Sequence, residues 1–176
     1  MLPLPFELDR IVLRKLHTDD LDAFLSYRSD PQVARFQGWE PMTRQQAMAL
    51  LEHESRFEGF RPGHWSQLGI AMTGDDRLIG DAGVWLADNG ESAELGFSLA
   101  RHAQGQGLGT EAVRGLLQWV FATTAASTIL AHADERNESC LRALARAGME
   151  RCGLRSQVWK GETCTEVCFR ALRSGS

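Results

Sequence analysis

Three glycines fall on alternate positions in the stretch RHAQGQGLGTEAV (residues 101–113), at Gly105, Gly107 and Gly109, directly ahead of a helix-like run. Glycine there costs conformational entropy, so the bare backbone calls for a return. Without side chains, successive N–H groups can converge on an anion close to the chain, and the N-terminus of the following helix adds partial positive charge. That chemistry suits a phosphate-bearing ligand. A Walker-type loop is excluded, because it ends in Gly-Lys-Ser/Thr and here Gly109 is followed by Thr110 and Glu111. A dinucleotide fingerprint needs a third glycine where Thr110 stands, and parallel strand–helix–strand surroundings. Asp134 is the residue that would serve as its ribose-binding acid. A plain tight turn is the third alternative, although three alternate glycines exceed what a turn needs.

The elements that must position this loop follow from periodicity. Residues 10–16 (RIVLRKL) alternate and are β-branched, as in a first strand. A helix follows over 17–31, with Thr18 as N-cap, Asp19 and Asp20 at its positive end and Pro31 as its stop. A second helix, capped by Thr43, carries Ala47, Leu50 and Leu51 at helical spacing. Three strands in series over 65–72, 77–86 and 91–100, separated by the turn sequences TGDD and ADNG, make an antiparallel meander. The glycine loop then leads into a helix over 110–124, with Val113, Leu116, Leu117, Val120 and Phe121 facing inward. A short strand (127–133), a helix opening at Asn137 and closing at Gly148, and a last strand (164–172) complete the order. The result is a mixed α/β layer fold in one domain over residues 1–176.

In its surroundings, the run Gln104-Gly105-Gln106-Gly107-Leu108-Gly109 resembles Q/R-x-x-G-x-G/A, the pyrophosphate loop of the GNAT superfamily of acetyl-CoA-dependent N-acetyltransferases. LRKLHTDDLDAF, LIGDAGVWL, AELGFSLARHAQGQGLGTEAV, ILAHADERNESCLRALARAGM and EVCFRAL resemble successive segments of the same family in order, covering nearly the whole chain. Within it the chain looks closest to the ribosomal-protein serine/alanine N-terminal acetyltransferases. The resemblance implies a mostly antiparallel twisted sheet flanked by helices, with two strands splayed around acetyl-CoA and a bulge at Gly96 opening the gap. The backbone of Phe97, Ser98 and Leu99 would pair with the pantetheine arm. The N–H groups from Gln104 through Gly105, Gln106, Gly107, Leu108 and Gly109, with Thr110, would hold the pyrophosphate. Arg101 and Arg114 are either phosphate ligands or solvated charges.

For the chemistry, the resemblance assigns Glu94 as the base that neutralises the amine, directly or through water, with a structural strand residue as the alternative. A backbone N–H near Phe97 would serve the oxyanion. Asn137 would bond the cofactor arm. Cys140 stands where the family commonly has serine near the leaving sulfur; it is either a proton donor, its pKa near that of the leaving thiol, or a packed cysteine. Tyr27, the sole tyrosine, lies in the first helix, so the family's tyrosine acid has no counterpart. In the closing strand Glu166 replaces an aspartate and Arg170 an aromatic. Trp39, Glu40, His64 and Trp65, on the two loops around the first helices, are expected to form the acceptor wall.

Composition narrows the rest. A formal net charge of −4 with no basic stripe argues against a nucleic-acid partner. No run approaches the ~20 apolar residues of a membrane span, and the N-terminus lacks a signal-peptide pattern, so a cytoplasmic location is expected. Cys140, Cys152, Cys164 and Cys168 and the scattered histidines fit no metal spacing. The expected activity is transfer of an acetyl group from acetyl-CoA to a primary amine, on a small molecule or a protein N-terminus, without a metal. A non-catalytic acyl-CoA sensor on the same fold is the alternative. A homodimer is left open.

Overall fold

The computed structural model describes residues 3–174. Its strands are β1 (Phe6–Glu7), β2 (Ile11–Arg14), β3 (Trp65–Met72), β4 (Leu78–Leu86), β5 (Ser92–Leu99), β6 (Thr128–Asp134), β7 (Glu150–Trp159) and β8 (Glu162–Leu172). They form one sheet in the order β1-β2-β3-β4-β5-β6-β8-β7, antiparallel throughout except between β5 and β6. Its helices are α1 (Leu21–Arg28), α2 (Pro31–Ala34), α3 (Arg44–Glu54), α4 (Leu108–Thr123) and α5 (Glu138–Arg146). This is the mixed α/β architecture expected from the sequence.

Two apolar cores hold the layers. The larger packs α4, through Val113, Leu116 and Val120, and α5, through Leu144, against inward residues such as Ile11, Leu13, Ile129 and Phe169. The smaller packs α1 and α3, through Phe24, Tyr27, Ala47 and Leu51, onto Leu16, Leu78 and Ala100. Each fully buried side chain of this size contributes about 1.5–3 kcal/mol.

Several boundaries differ from the sequence expectation. Thr18 caps nothing: residues 18–20 form a 3-10 turn, and Asp20 bonds the His17 N–H (2.8 Å) and the buried Arg14. Pro31 does not simply stop α1 but opens α2, whose N-cap is Asp30, because proline is favoured at the first helical position. Helix α4 begins two residues early, at Leu108, and Phe121 is only half-buried. Strand β7, which the sequence reading leaves out, pairs with β8 from Glu150 to Trp159 with one register shift between Arg151 and Gly153; it is an edge strand with almost every residue exposed, the alternating Leu154 and Val158 included.

The opening between β5 and β6 also arises differently. No bulge interrupts β5 at Gly96: the β4–β5 register runs unbroken from Gly80↔Leu99 to Leu86↔Ala93. The pairing with β6 instead stops after Leu95↔Ala131. Beyond that point the two strands diverge and β5 presents a free edge from Gly96 to Leu99.

Candidate functional site

The glycine loop meets the start of α4 at Gly107, its N-cap, in a left-handed conformation (φ 79°) that Gly105 shares (φ 73°). Such backbone favours glycine. Gly109 is needed for another reason: a β-carbon there would sit 3.1 Å from the Phe97 ring, so its absence lets α4 close onto β5. Among the described residues no acceptor takes the N–H groups from Gly105 to Thr110, and Glu111 makes the first bond, to Gly107 O (3.1 Å). Six consecutive amides at a helix N-terminus form a ready anion site.

Glu111 would spoil that site, being an acid in the first turn of α4, were it not turned away. Arg10, between β1 and β2, takes both its oxygens, through its backbone N–H (2.6 Å) and Nε (2.9 Å), while its Nη1 donates to Gln106 O (2.9 Å). Sequence reasoning passed over Arg10, because nothing local ties it to a loop almost a hundred residues away.

One cleft of about 400 Å³ joins the loop, the free edge of β5 and the start of α5. Phe97, Ser98, Leu99, Gln104, Gly105, Gly107, Gly109, Thr110, Asn137 and Cys140 all line it. Gln106 and Leu108 do not: the Gln106 side chain bonds His102 O (2.7 Å) and Leu108 is buried in the core, leaving only their backbone amides for a ligand. Two side chains reach the β5 edge, Gln37 at Phe97 O (3.3 Å) and Gln104 at Leu99 O (3.0 Å). Arg101 is tied to Gln32 (3.0 Å) and Asp30 (3.4 Å), and Arg114 to Arg146 O (2.6 Å), so both are engaged by the protein itself.

Asn137 caps α5, its Oδ1 accepting from the Cys140 N–H (3.3 Å) and Ser139 Oγ (3.1 Å). Burial pushes the Cys140 thiol up to about 12. That lies well above the ordinary thiol range of about 8–9, which favours the packed cysteine over the proton donor among the two alternatives. The group is a neutral thiol able to donate a weak hydrogen bond. Ahead of it, the Arg136 guanidinium beside Asp134 holds that carboxyl below its ordinary range. The pair (2.7 Å) shapes the turn into α5, leaving Asp134 committed there and not poised for a ribose.

A second cleft, of about 330 Å³, opens on the other side of Phe97 and Ser98. Glu94 lines it with His132, whose Nδ1 lies 3.0 Å from Glu94 Oε1. Glu94 is the expected base; His132 escaped notice as one of five scattered histidines, and only the parallel pairing of β5 with β6 brings it alongside. Donating Nδ1–H to Glu94 would leave a lone pair on His132 Nε2. The floor is the buried pair Arg28–Asp81, and Tyr27, raised well above its ordinary value by burial and by Asp81, stays a neutral phenol below it. Glu166 accepts from Arg155 Nε (2.6 Å) and Trp159 Nε1 (2.9 Å). Arg170, expected in an aromatic's place, lines neither cleft.

The expected acceptor wall is partly assembled. Trp39 and Trp65 line this cleft, whereas Glu40 faces a neighbouring hollow near Lys160 (3.7 Å) and His64 lines neither cleft. Lys160, at the tip of the β7–β8 hairpin, donates to Ala34 O (2.8 Å) and Trp39 O (3.1 Å), pinning the loop between α2 and α3 over the opening.

An anion cradle at a helix start, a strand edge freed by splaying and an adjoining cleft with a carboxylate–imidazole pair describe an acyl-CoA-dependent transferase. Residues 10–150 match the family described as acetyltransferase (GNAT) domain, and the chain belongs to that family. It is similar to the uncharacterized N-acetyltransferase p20 of Bacillus licheniformis, at 28% identity over 151 residues, covering 83% of this chain and 82% of that one. Its fold is similar to that of a GNAT-family acetyltransferase from Bacillus anthracis (TM-score 0.84, 18% identity, 94% and 96% of the two chains). It also resembles the microcin C7 self-immunity acetyltransferase MccE, solved with acetyl-CoA and AMP (TM-score 0.79, 14% identity, 94% of each chain). The protein is an acetyl-CoA-dependent acetyltransferase. Among the described residues there is no cluster suited to a metal ion, and no helix is long and apolar enough to cross a membrane.

Proposed function

We propose that the chain transfers the acetyl group to a primary amine seated in the Glu94 cleft, by direct attack while acetyl-CoA occupies the Gly105–Thr110 cleft. The observation that carries this reading is the Glu94–His132 pair beside the free edge of β5. Acetyl-CoA supplies the thioester carbonyl and the leaving thiolate. The six free amides would hold its pyrophosphate, and the β5 edge its pantetheine amides, with Gln37 yielding Phe97 O.

The chain's own residues then have three tasks. Glu94 and His132 accept the proton that an alkylammonium must lose before its nitrogen can attack. A β5 backbone N–H near Phe97 faces the developing oxyanion. Asn137 orients the arm, and the neutral Cys140 thiol donates a hydrogen bond toward the departing sulfur without surrendering its proton. The resemblance to the ribosomal-protein branch points to a protein N-terminus, whereas the aromatic lining of the cleft favours a small amine.

The test is release of free coenzyme A thiol from acetyl-CoA with a panel of amines. Amine-dependent release that falls about 100-fold or more in Glu94→Gln, with coenzyme A affinity unchanged, is expected. Turnover indifferent to that substitution would remove Glu94 from the reaction.

A further inference from the structure

Three tryptophans border the Glu94 cleft: Trp39, Trp65 and Trp159. Trp65 and Trp159 are 49% and 38% exposed, a large apolar surface left in water. They are not loose. A β-carbon at Gly83 would lie 3.2 Å from Trp65 Cε3, and one at Gly38 would lie 3.2 Å from Trp159 Cη2, so each ring rests on bare glycine backbone. The Trp159 Nε1–Glu166 bond (2.9 Å) fixes that ring further, and Trp39 stacks on Arg28, 4.4 Å from guanidinium carbon to ring centroid. Rings held in place around a concavity, with faces open, are built to take a flat apolar body.

The charges in the same cleft say what that body carries. Asp81 is bound by Arg28 and Glu166 by Arg155. Only Glu94 lacks a permanent cation, its partner being an imidazole. With His132 neutral, the lining holds one unit of uncompensated negative charge, at the reacting end. A second or third ammonium would meet an arginine beside each remaining carboxylate.

Resting on the transfer reaction proposed above, we propose that the acceptor is a monocationic primary amine on an aromatic or flat apolar body, and not a polyamine. The amine enters at Glu94 and the body lies among the three rings. Selectivity against polyamines comes from the arginine-neutralised carboxylates.

The test compares 2-phenylethylamine, spermidine and a short peptide starting with serine, using the full chain with acetyl-CoA. Expected is a kcat/KM for the arylalkylamine about tenfold or more above that of spermidine, with Trp65→Ala raising its KM about tenfold and leaving kcat within about threefold. Spermidine or the peptide performing as well, or a KM indifferent to both Trp65→Ala and Trp159→Ala, would overturn the proposal. Binding is read separately by tryptophan fluorescence with coenzyme A present: saturable quenching by phenylethylamine and not by spermidine supports the proposal, and no quenching overturns it. If no amine is acetylated although coenzyme A binds, the transfer reading fails by itself, and the fluorescence titration still decides the pocket's preference.

Discussion

Replacing Arg10 by methionine probes the proposed phosphate site through the charge it leaves on Glu111. Arg10 neutralises Glu111 across a 2.9 Å ion pair, and that carboxylate belongs to the first turn of α4, where the cofactor's phosphates are proposed to sit. A bare carboxylate at about 8 Å from a phosphate charge costs roughly 0.5 kcal/mol in water and roughly 2 kcal/mol at an effective dielectric near 20. For a partly solvated pair this gives about 1–2 kcal/mol, a five- to thirtyfold loss of coenzyme A affinity. Calorimetric titration at low ionic strength should show that loss, and about 0.5 M salt should erase most of it, since screening then acts within a few ångströms. The double variant Arg10→Met/Glu111→Gln should return to within about threefold of the parent. Parental affinity in Arg10→Met, or a loss that neither salt nor Glu111→Gln relieves, would refute the electrostatic argument and leave Arg10 as a mechanical tie to Gln106 O.

Other outcomes follow from the same coordinates. Asp81→Ala strands the Arg28 charge beneath the Glu94 cleft and should cost about 3–5 kcal/mol, lowering the melting temperature by roughly 6–20 °C for a chain of this size; a smaller drop would mean water reaches Arg28. Cys140, held near 12, should be alkylated at pH 8 far more slowly than exposed Cys152, and Cys140→Ser should keep at least the parental kcat while Cys140→Ala loses it. Equal labelling of the two cysteines by mass spectrometry would contradict the burial argument. Asp134, lowered in the folded state, stabilises above its unfolded value of about 3.9 and ceases to do so as pH falls through the folded value. The stability gap between parent and Asp134→Asn should therefore be open at pH 7 and close below about pH 4; a constant gap would exclude the carboxylate charge as its source.

What was legible in the sequence was local. The β3–β4–β5 meander was visible because turn sequences separate alternating runs, and the glycine loop ahead of α4 because glycine spacing is a chain-local signal. Strand β7 was missed although Cys152, Leu154 and Val158 alternate with polar residues, because Gly153 and Ser156 dilute the pattern and its apolar side chains face water; pairing with β8 makes it a strand. The gap at β5 was foreseen but its cause was not, since loss of pairing with β6 depends on where a distant strand ends. His132, Arg10 and Lys160 act across 38, 101 and more than 120 residues, distances at which spacing carries no information. The choice between proton donor and packed cysteine at Cys140 was not legible either, because burial is a tertiary property.

Amide hydrogen exchange with and without coenzyme A tests the central claim most directly. The account predicts that coenzyme A slows exchange at the amides of Gly105 to Thr110 and along the free edge of β5, with little change in α3. Binding that leaves those amides exchanging as in the free protein would contradict it, and the glycine loop would then be a turn and no more.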